Sequence, residues 1–247
     1  MRLVSVAIDS RVSAPARRLA LLVTFGLAAC QSATLSPSFP PVPAPTLAVG
    51  DHWEYRITDN LRMGLVTTLE ADVVSIKAGT ASIRLVYNNQ NGRSEETAEI
   101  DANGGLIVGA LKGEATRRFQ TPIQMYDFPL ERGKSWRQTV PTISPETQLG
   151  AQILVSGNVQ GQSVVTVPAG AFNTTFVFRI IQLDDEQFWR TRTTREDSVW
   201  FASEVKAPVR ELRNASFIQS GGGVGSLVRT ENTTRELISF RPGLKSP

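Results

Sequence analysis

The side chains that most often carry chemistry are scarce in this chain of 247 residues, which has one histidine and one cysteine. A catalytic Ser-His or Cys-His pair needs an imidazole beside its nucleophile. His52 opens a strand-like run with no thiol to act on, and it reads as a turn-edge or surface residue. Imidazole and thiolate metal sites need several such ligands converging, which leaves only carboxylates. Glu95-Glu96 and Asp184-Asp185-Glu186 are the adjacent acids. Such turns are usually solvated, with a calcium or magnesium role as the alternative. Two distant carboxylates could meet in the fold as a hydrolase pair, but spacing alone does not show it. The chain has no G-x-S-x-G elbow and no Walker loop, and Gly221 to Gly225 lacks the lysine of a phosphate cradle. No metal and no cofactor is expected.

A further candidate is the arginine-bearing stretch Gln187 to Phe201, QFWRTRTTREDSVWF. As one extended strand it puts Arg190 and Arg192 on one face, with Phe188 and Trp200, and Arg195 on the other, with Trp189 and Phe201. One reading is a long strand with a solvated centre whose charges pair across the sheet. The sharper reading is an arginine-lined concavity, built on Arg190, Arg192 and Arg195, that meets an anionic lipid head or a glycan carboxylate.

The single cysteine has a different chemistry. Leu19 to Ala29 is an apolar run behind Arg17-Arg18, and it ends Leu27-Ala28-Ala29-Cys30. It is too short to span a bilayer core, which takes roughly 20 apolar residues. It resembles a bacterial lipoprotein signal. On that resemblance residues 1–29 are a signal peptide and Cys30 carries diacylglyceryl and acyl chains that hold the protein to a membrane. Gln31, rather than the Asp that favours inner-membrane retention, implies the periplasmic face of the outer membrane. Removing residues 1–29, with four arginines and one aspartate, leaves 22 basic and 22 acidic residues. The mature part is then neutral and cysteine-free, which removes disulfides and the electrostatic case for nucleic acid.

The elements that must position any site are strands. Residues 30–49 hold five prolines between Pro37 and Pro45 and read as a tether. From Gly50 the pattern alternates, with Trp53, Tyr55 and Ile57 on one face of the first strand. Further strands are expected over 63–76, 80–87, 95–100, 106–110, 135–140, 187–201, 206–218 and 227–240. Asn91-Gly92 marks a hairpin, and 153–159 with 163–167 forms another across Gly161. In the strand after that hairpin, Phe176, Phe178 and Ile180 face one way, opposite Val177 and Arg179. Residues 114–128 read as a short helix or a loop, Pro141 and Pro145 as bracketing a loop, and 242–247 as a disordered tail. The expected fold is all-β: one antiparallel domain over 50–241, curved into a half-barrel or sandwich, with few short helices.

Three motifs stand in this order: Pro129-Leu130-Glu131-Arg132-Gly133-Lys134-Ser135-Trp136, Val165-Thr166-Val167-Pro168-Ala169-Gly170-Ala171-Phe172-Asn173-Thr174, and Trp200-Phe201-Ala202 with Val205 and Pro208-Val209-Arg210. Together they resemble a family of bacterial envelope proteins, often lipoproteins, similar in outline to the half-barrels of lipoprotein carriers. The family has no assigned activity, so the resemblance implies a fold and an address but no catalytic residue. Trp53, Gly133, Trp136, Pro168, Gly170, Phe172 and Trp200 read as framework. Ala171, where Thr or Ser is usual, and Lys206-Ala207, in place of a glycine turn, depart from the pattern. The expected function is non-catalytic binding of an apolar or lipid-like ligand. The alternative is an accessory protein that recognises another envelope component, with a carboxylate hydrolase a distant third.

Overall fold

The computed structural model describes residues 39–111, 116–144, 147–220 and 225–243. The expected signal peptide, Cys30, Pro145, Gly221 to Gly223 and residues 244–247 of the expected tail lie outside the described residues. Twelve strands follow one another: β1 His52–Asp59, β2 Leu65–Lys77, β3 Thr80–Asn89, β4 Gly92–Ile100, β5 Leu106–Gly109, β6 Arg117–Ile123, β7 Ser135–Ile143, β8 Gly150–Val167, β9 Gly170–Gln182, β10 Thr194–Ala202, β11 Ala207–Gln219 and β12 Ser226–Arg241. One short 3-10 turn, Ser203–Val205, joins β10 to β11.

All twelve strands form one antiparallel sheet in the order β6-β5-β4-β3-β2-β1-β12-β11-β10-β9-β8-β7. Each neighbour follows in sequence except β1 and β12, which pair from His52 opposite Arg241 to Asp59 opposite Thr233 and so join the two halves of the chain. Right-handed twist curls so long a sheet until its ends approach. The edge strands β6 and β7 meet through side chains. Gln138 of β7 accepts from Gln124 N (2.8 Å) and donates to Pro122 O (2.9 Å), and Trp136 Nε1 donates to Gln124 O (3.1 Å). The result is a nearly closed barrel with one seam.

The seam explains two departures from expectation. Residues 117–123 are a strand, and Pro141 lies inside β7 rather than at a loop. Proline cannot donate to a ladder, so strands tolerate it at an edge. Pro122 and Pro141 stand on the two edge strands. A third departure is β8, which is continuous from Gly150 to Val167. The expected turn at Gly161 is a bulge opposite β9 between Val159 and Gly161, where the strand bends without reversing.

The proline-rich stretch is not a free spacer over its described part. Val42 and Leu130 exchange backbone hydrogen bonds of 3.0 and 2.7 Å. Phe39 and Val42 pack on one core cluster and Leu47 on another. Val42 lies between prolines, which hold it extended while its own N–H and C=O stay available. At the other terminus Gly243 N donates to Asp51 Oδ1 at 2.8 Å, so the chain remains attached past Arg241.

The buried apolar residues fall into three clusters. One is built on Trp53, Tyr55, Leu69 and Leu237, a second on Phe119, Ile123, Ile153 and Ile181, and a third on Leu130, Trp136, Val177 and Phe201. A filled barrel would show one continuous core. The interior between these clusters is the candidate site.

Candidate functional site

Strand alternation aims Trp53 and Tyr55 (β1), Leu69 and Ala71 (β2), Ile83 and Leu85 (β3), and Phe201 (β10) inward. With Ile100, Tyr126 and Phe128 they line an apolar recess of about 250 Å³. Trp53 Nε1 donates to Val205 O (2.7 Å) and Tyr55 Oη to Pro208 O (3.0 Å), so the polar atoms of both rings are satisfied in the wall. Pro45 and Leu47, from the segment before β1, complete one side. A wider chamber of about 810 Å³, mixed polar and apolar in its lining, adjoins it, with residues that include Ile57, Leu65, Tyr87, Glu96, Arg195 and Glu231. Leu69, Leu85, Leu106, Met125, Arg213 and Arg235 line both spaces.

The inner wall of β9 to β12 carries a buried charge cluster. Arg195 grips Asp197 with Nε (2.9 Å) and Nη2 (2.8 Å), and its Nη1 donates to Leu111 O. Arg179 Nη2 donates to Asp197 (2.9 Å) and to Glu211 (3.1 Å), and Nη1 reaches Met125 O at 3.2 Å. Glu211 also accepts from Arg213 Nε (2.9 Å) and from Arg235 Nη2. Four guanidiniums therefore share two carboxylates. Burial pushes the Glu211 and Asp197 carboxyls up, but the surrounding arginines hold both below the usual carboxylate range. A general acid needs the opposite shift. The three tyrosines, on β1 (Tyr55), on β3 (Tyr87) and between β6 and β7 (Tyr126), are all pushed up. Burial raises Tyr55 and Tyr126, and burial with the Glu96 carboxylate raises Tyr87 to about 12.

The three arginines singled out in the sequence do not share a surface. Strand β10 begins at Thr194, and residues 183–193 are a loop. Arg190 is buried in that loop, donating to Asp185 and to Thr193 Oγ1 (2.8 Å), with its guanidinium 4.0 Å from the Phe217 ring centroid. Arg192 lies outside and pairs with Glu186 at 3.0 Å. Arg195 alone reaches the interior. The acidic run has the same logic, since each acid has its own arginine. Asp184 takes a bidentate pair from Arg117 at 2.7 and 2.8 Å, Asp185 takes Arg190, and Glu186 takes Arg192. Asp184 and Asp185 are buried rather than solvated. Among the described residues no three His, Cys, Asp or Glu side chains are grouped to hold a metal ion. His52 is not a free surface residue, because its Nδ1 lies 2.7 Å from Asp72 Oδ1.

The framework residues have structural places. Trp53 stacks on Phe240, with centroids 5.6 Å apart, and Trp200 stacks on Phe176 at 4.9 Å. Trp136 lies flat over Gly157, where a Cβ would overlap its indole. Gly133, at φ +78°, turns the chain into β7, and its N–H donates to Val159 O at 2.8 Å. Pro168 lies in the turn between β8 and β9, Gly170 begins β9 at φ +133°, and Phe172 packs on the first cluster. Lys206, where a glycine was expected, takes the left-handed conformation at φ +59°. Its Nζ binds the buried Asp51 at 2.7 and 2.9 Å, which offsets the strain. Arg179, Glu211, Arg213 and Arg235 were not singled out as a site. Their signal was present as charged residues at inward positions of alternating strands, such as Arg179 in register with Val177.

No family model matches the chain, and no curated relative matches it. Solved structures give three likenesses. A candidate lipoprotein of Parabacteroides distasonis is 13% identical, with a TM-score of 0.45, covering 82% of this chain and all of that one. A candidate exported protein of Bacteroides fragilis with a YmcC-like fold is 11% identical, with a TM-score of 0.41 and the same coverage. The hypothetical lipoprotein YmcC of Escherichia coli is 10% identical, with a TM-score of 0.41, covering 78% of this chain and 85% of that one.

Proposed function

We propose that this protein is a non-catalytic envelope lipoprotein, anchored through acylated Cys30, that binds an apolar or lipid-like ligand inside its barrel. The observation that carries the reading is the apolar recess left between three core clusters and joined to a wider chamber. Protein interiors pack to crystal density with few voids, and unfilled apolar space costs stability. Concave, mostly apolar spaces with a few convergent polar groups are the usual form of a ligand site. The buried Asp197 and Glu211 support a binding role over a hydrolytic one, because the surrounding arginines hold both carboxyls below the usual range.

Native mass spectrometry on protein drawn gently from its own membrane tests this. A co-purifying mass in the lipid range is expected, and it should be lost in Ala71→Trp, which fills the recess. A clean unliganded peak from the unaltered protein would contradict the reading. For the anchor and the outer-membrane address, Cys30→Ser should move the protein from the outer-membrane fraction to the soluble periplasm. Retention in the membrane would defeat that part.

One observation favours the alternative of an accessory protein. Met63 in the β1–β2 turn, Leu149, Phe188 in the loop before β10, and Leu227 at the start of β12 are exposed. Strand register puts all four at the end of the barrel that bears the wider chamber. These four suit contact with another envelope component, although Val164, at the opposite end beside the β8–β9 turn, is as exposed.

A further inference from the structure

Arg213 and Arg235 stand where the apolar recess gives way to the wider chamber, and they are the two charged residues that line both. Neither guanidinium is used up by the protein. Among the described residues Arg213 donates through Nε alone, to Glu211, which leaves both Nη groups. Arg235 donates through Nη2 alone, also to Glu211, and lies over the Tyr55 ring at 4.9 Å; its Nε is buried without a partner, as are those of Arg179 and Arg190. Both keep partial exposure into the interior, with side chains 30% and 23% accessible. A buried donor without a partner is costly, and natural sites retain one where a ligand or water completes it.

The charges around them argue the same way. Glu211 is shared by Arg179, Arg213 and Arg235, so one carboxylate balances three cations. Asp197 is engaged by Arg195 and Arg179. Of the acids on the chamber wall, Asp59 pairs with Arg62 (3.6 Å) and Glu95 with Arg93 (3.4 Å), while Glu96 accepts from Thr116 Oγ1 (2.7 Å) and Glu231 from Thr233 Oγ1 (3.2 Å). Glu231 also draws on Arg213 without a hydrogen bond. Two planar forks with open donors, fixed at the boundary of an apolar recess, match an anionic oxygen group, because guanidinium presents parallel N–H donors to carboxylate or phosphate.

We propose that the barrel binds a single-chain anionic amphiphile, with its chain in the recess lined by Trp53, Leu85 and Tyr126 and its carboxylate or phosphate head on Arg213 and Arg235. This rests on the interior-ligand reading above and adds the head-group chemistry. The head would complete the open Nη donors and the orphaned Arg235 Nε, and the chain would fill the space the core leaves empty.

The test is calorimetric titration of the full-length protein in amphipol, against an empty-amphipol blank, with four probes of one chain length: dodecanoate, dodecyl phosphate, dodecanol and dodecylamine. The expected result is at least about tenfold tighter binding of one or both anions than of the alcohol or the amine, a ratio equivalent to about 1.4 kcal/mol. Which anion wins separates a fatty-acid source from a phosphate-bearing one. In Arg213→Gln/Arg235→Gln the preference should disappear while dodecanol binds as before. If circular dichroism shows that the double variant is unfolded, Arg213→Gln alone makes the comparison, with the preference cut by about threefold or more. Equal binding of dodecanol and the anions by the unaltered protein overturns the head site and leaves the interior reading standing. Binding of none of the four overturns both.

Discussion

Glu211→Gln is the perturbation that separates a buried charge cluster from a surface one. Glu211 is 1% exposed and is the hydrogen-bonded partner of Arg179 at 3.1 Å, Arg213 at 2.9 Å, and Arg235. The amide keeps the shape but removes the charge that balances three cations. Breaking a buried ion pair from one side costs roughly 3–5 kcal/mol. At roughly 2–4 °C per kcal/mol for a domain of this size, the melting temperature should fall by about 6–20 °C. Glu236→Gln is the control. Glu236 accepts from Arg56 and Arg210 but is 19% exposed, and surface pairs contribute roughly 0–1 kcal/mol. The pH dependence has a definite sign. Burial pushes the Glu211 carboxyl up, but Arg213, Arg235 and Arg179 together hold it well below the usual range. A depressed carboxyl contributes stability above its unfolded pKa of about 4.3, and that stability is lost as pH falls through the folded value. Urea titrations should therefore show the full gap between wild type and variant at neutral pH and a shrinking gap in acid. A loss no larger than that of Glu236→Gln, or a gap unchanged in acid, would mean that Glu211 does not balance the buried cations.

Three other perturbations follow from the same geometry. All three tyrosines of the chain are shifted up by burial, so their ultraviolet titration should show no tyrosinate near the usual pKa of about 10. A raised tyrosine loses its stabilising contribution as pH climbs from the unfolded to the folded value, so unfolding and ionisation should coincide between about pH 10 and pH 12; normal titration with native circular dichroism would contradict the buried environment. At Lys206, Ala keeps the left-handed strain and Gly relieves it, while both lose the ion pair to Asp51. Denaturant midpoints should show Lys206→Ala down by roughly 2 kcal/mol and Lys206→Gly by about 1 kcal/mol less, and equal losses would contradict the strain argument. At Gly157 a Cβ would overlap the Trp136 indole, so Gly157→Ala should lose roughly 1–3 kcal/mol by urea titration, and a neutral result would mean that Trp136 is not packed there.

The sheet was legible wherever one face of a strand is apolar. His52–Asp59 and Thr80–Asn89 alternate cleanly because one side faces the interior and the other the outside. It was not legible at the seam. Arg117–Ile123, RRFQTPI, is a short edge strand with a proline and little alternation, held by side chains of β7 instead of a backbone ladder on that side. The bulge at Gly161 hid the continuity of β8, since glycine signals a bend and a reversal alike. The candidate site was half legible. The apolar lining follows from periodicity, and Trp53 was recognised as framework. The arginine cluster depends on which strands become neighbours. Glu211 meets Arg235 only because β12 closes against β11, and Arg179 meets Asp197 only because β9 lies beside β10. No local pattern contains those pairings, and for the same reason Arg190, Arg192 and Arg195, adjacent in sequence, end in three different environments.

The claim that a ligand chain lies inside the barrel is tested most directly by photo-crosslinking. Dodecanoate carrying a diazirine at its far end is bound to the full-length protein, irradiated, and the labelled residues are mapped by peptide mass spectrometry. Labelling is expected in the recess, at residues such as Trp53, Ile83, Ile100, Tyr126 and Phe128. Labelling confined to exposed Met63, Leu149, Phe188 and Leu227, with none in the recess, would contradict an interior ligand chain.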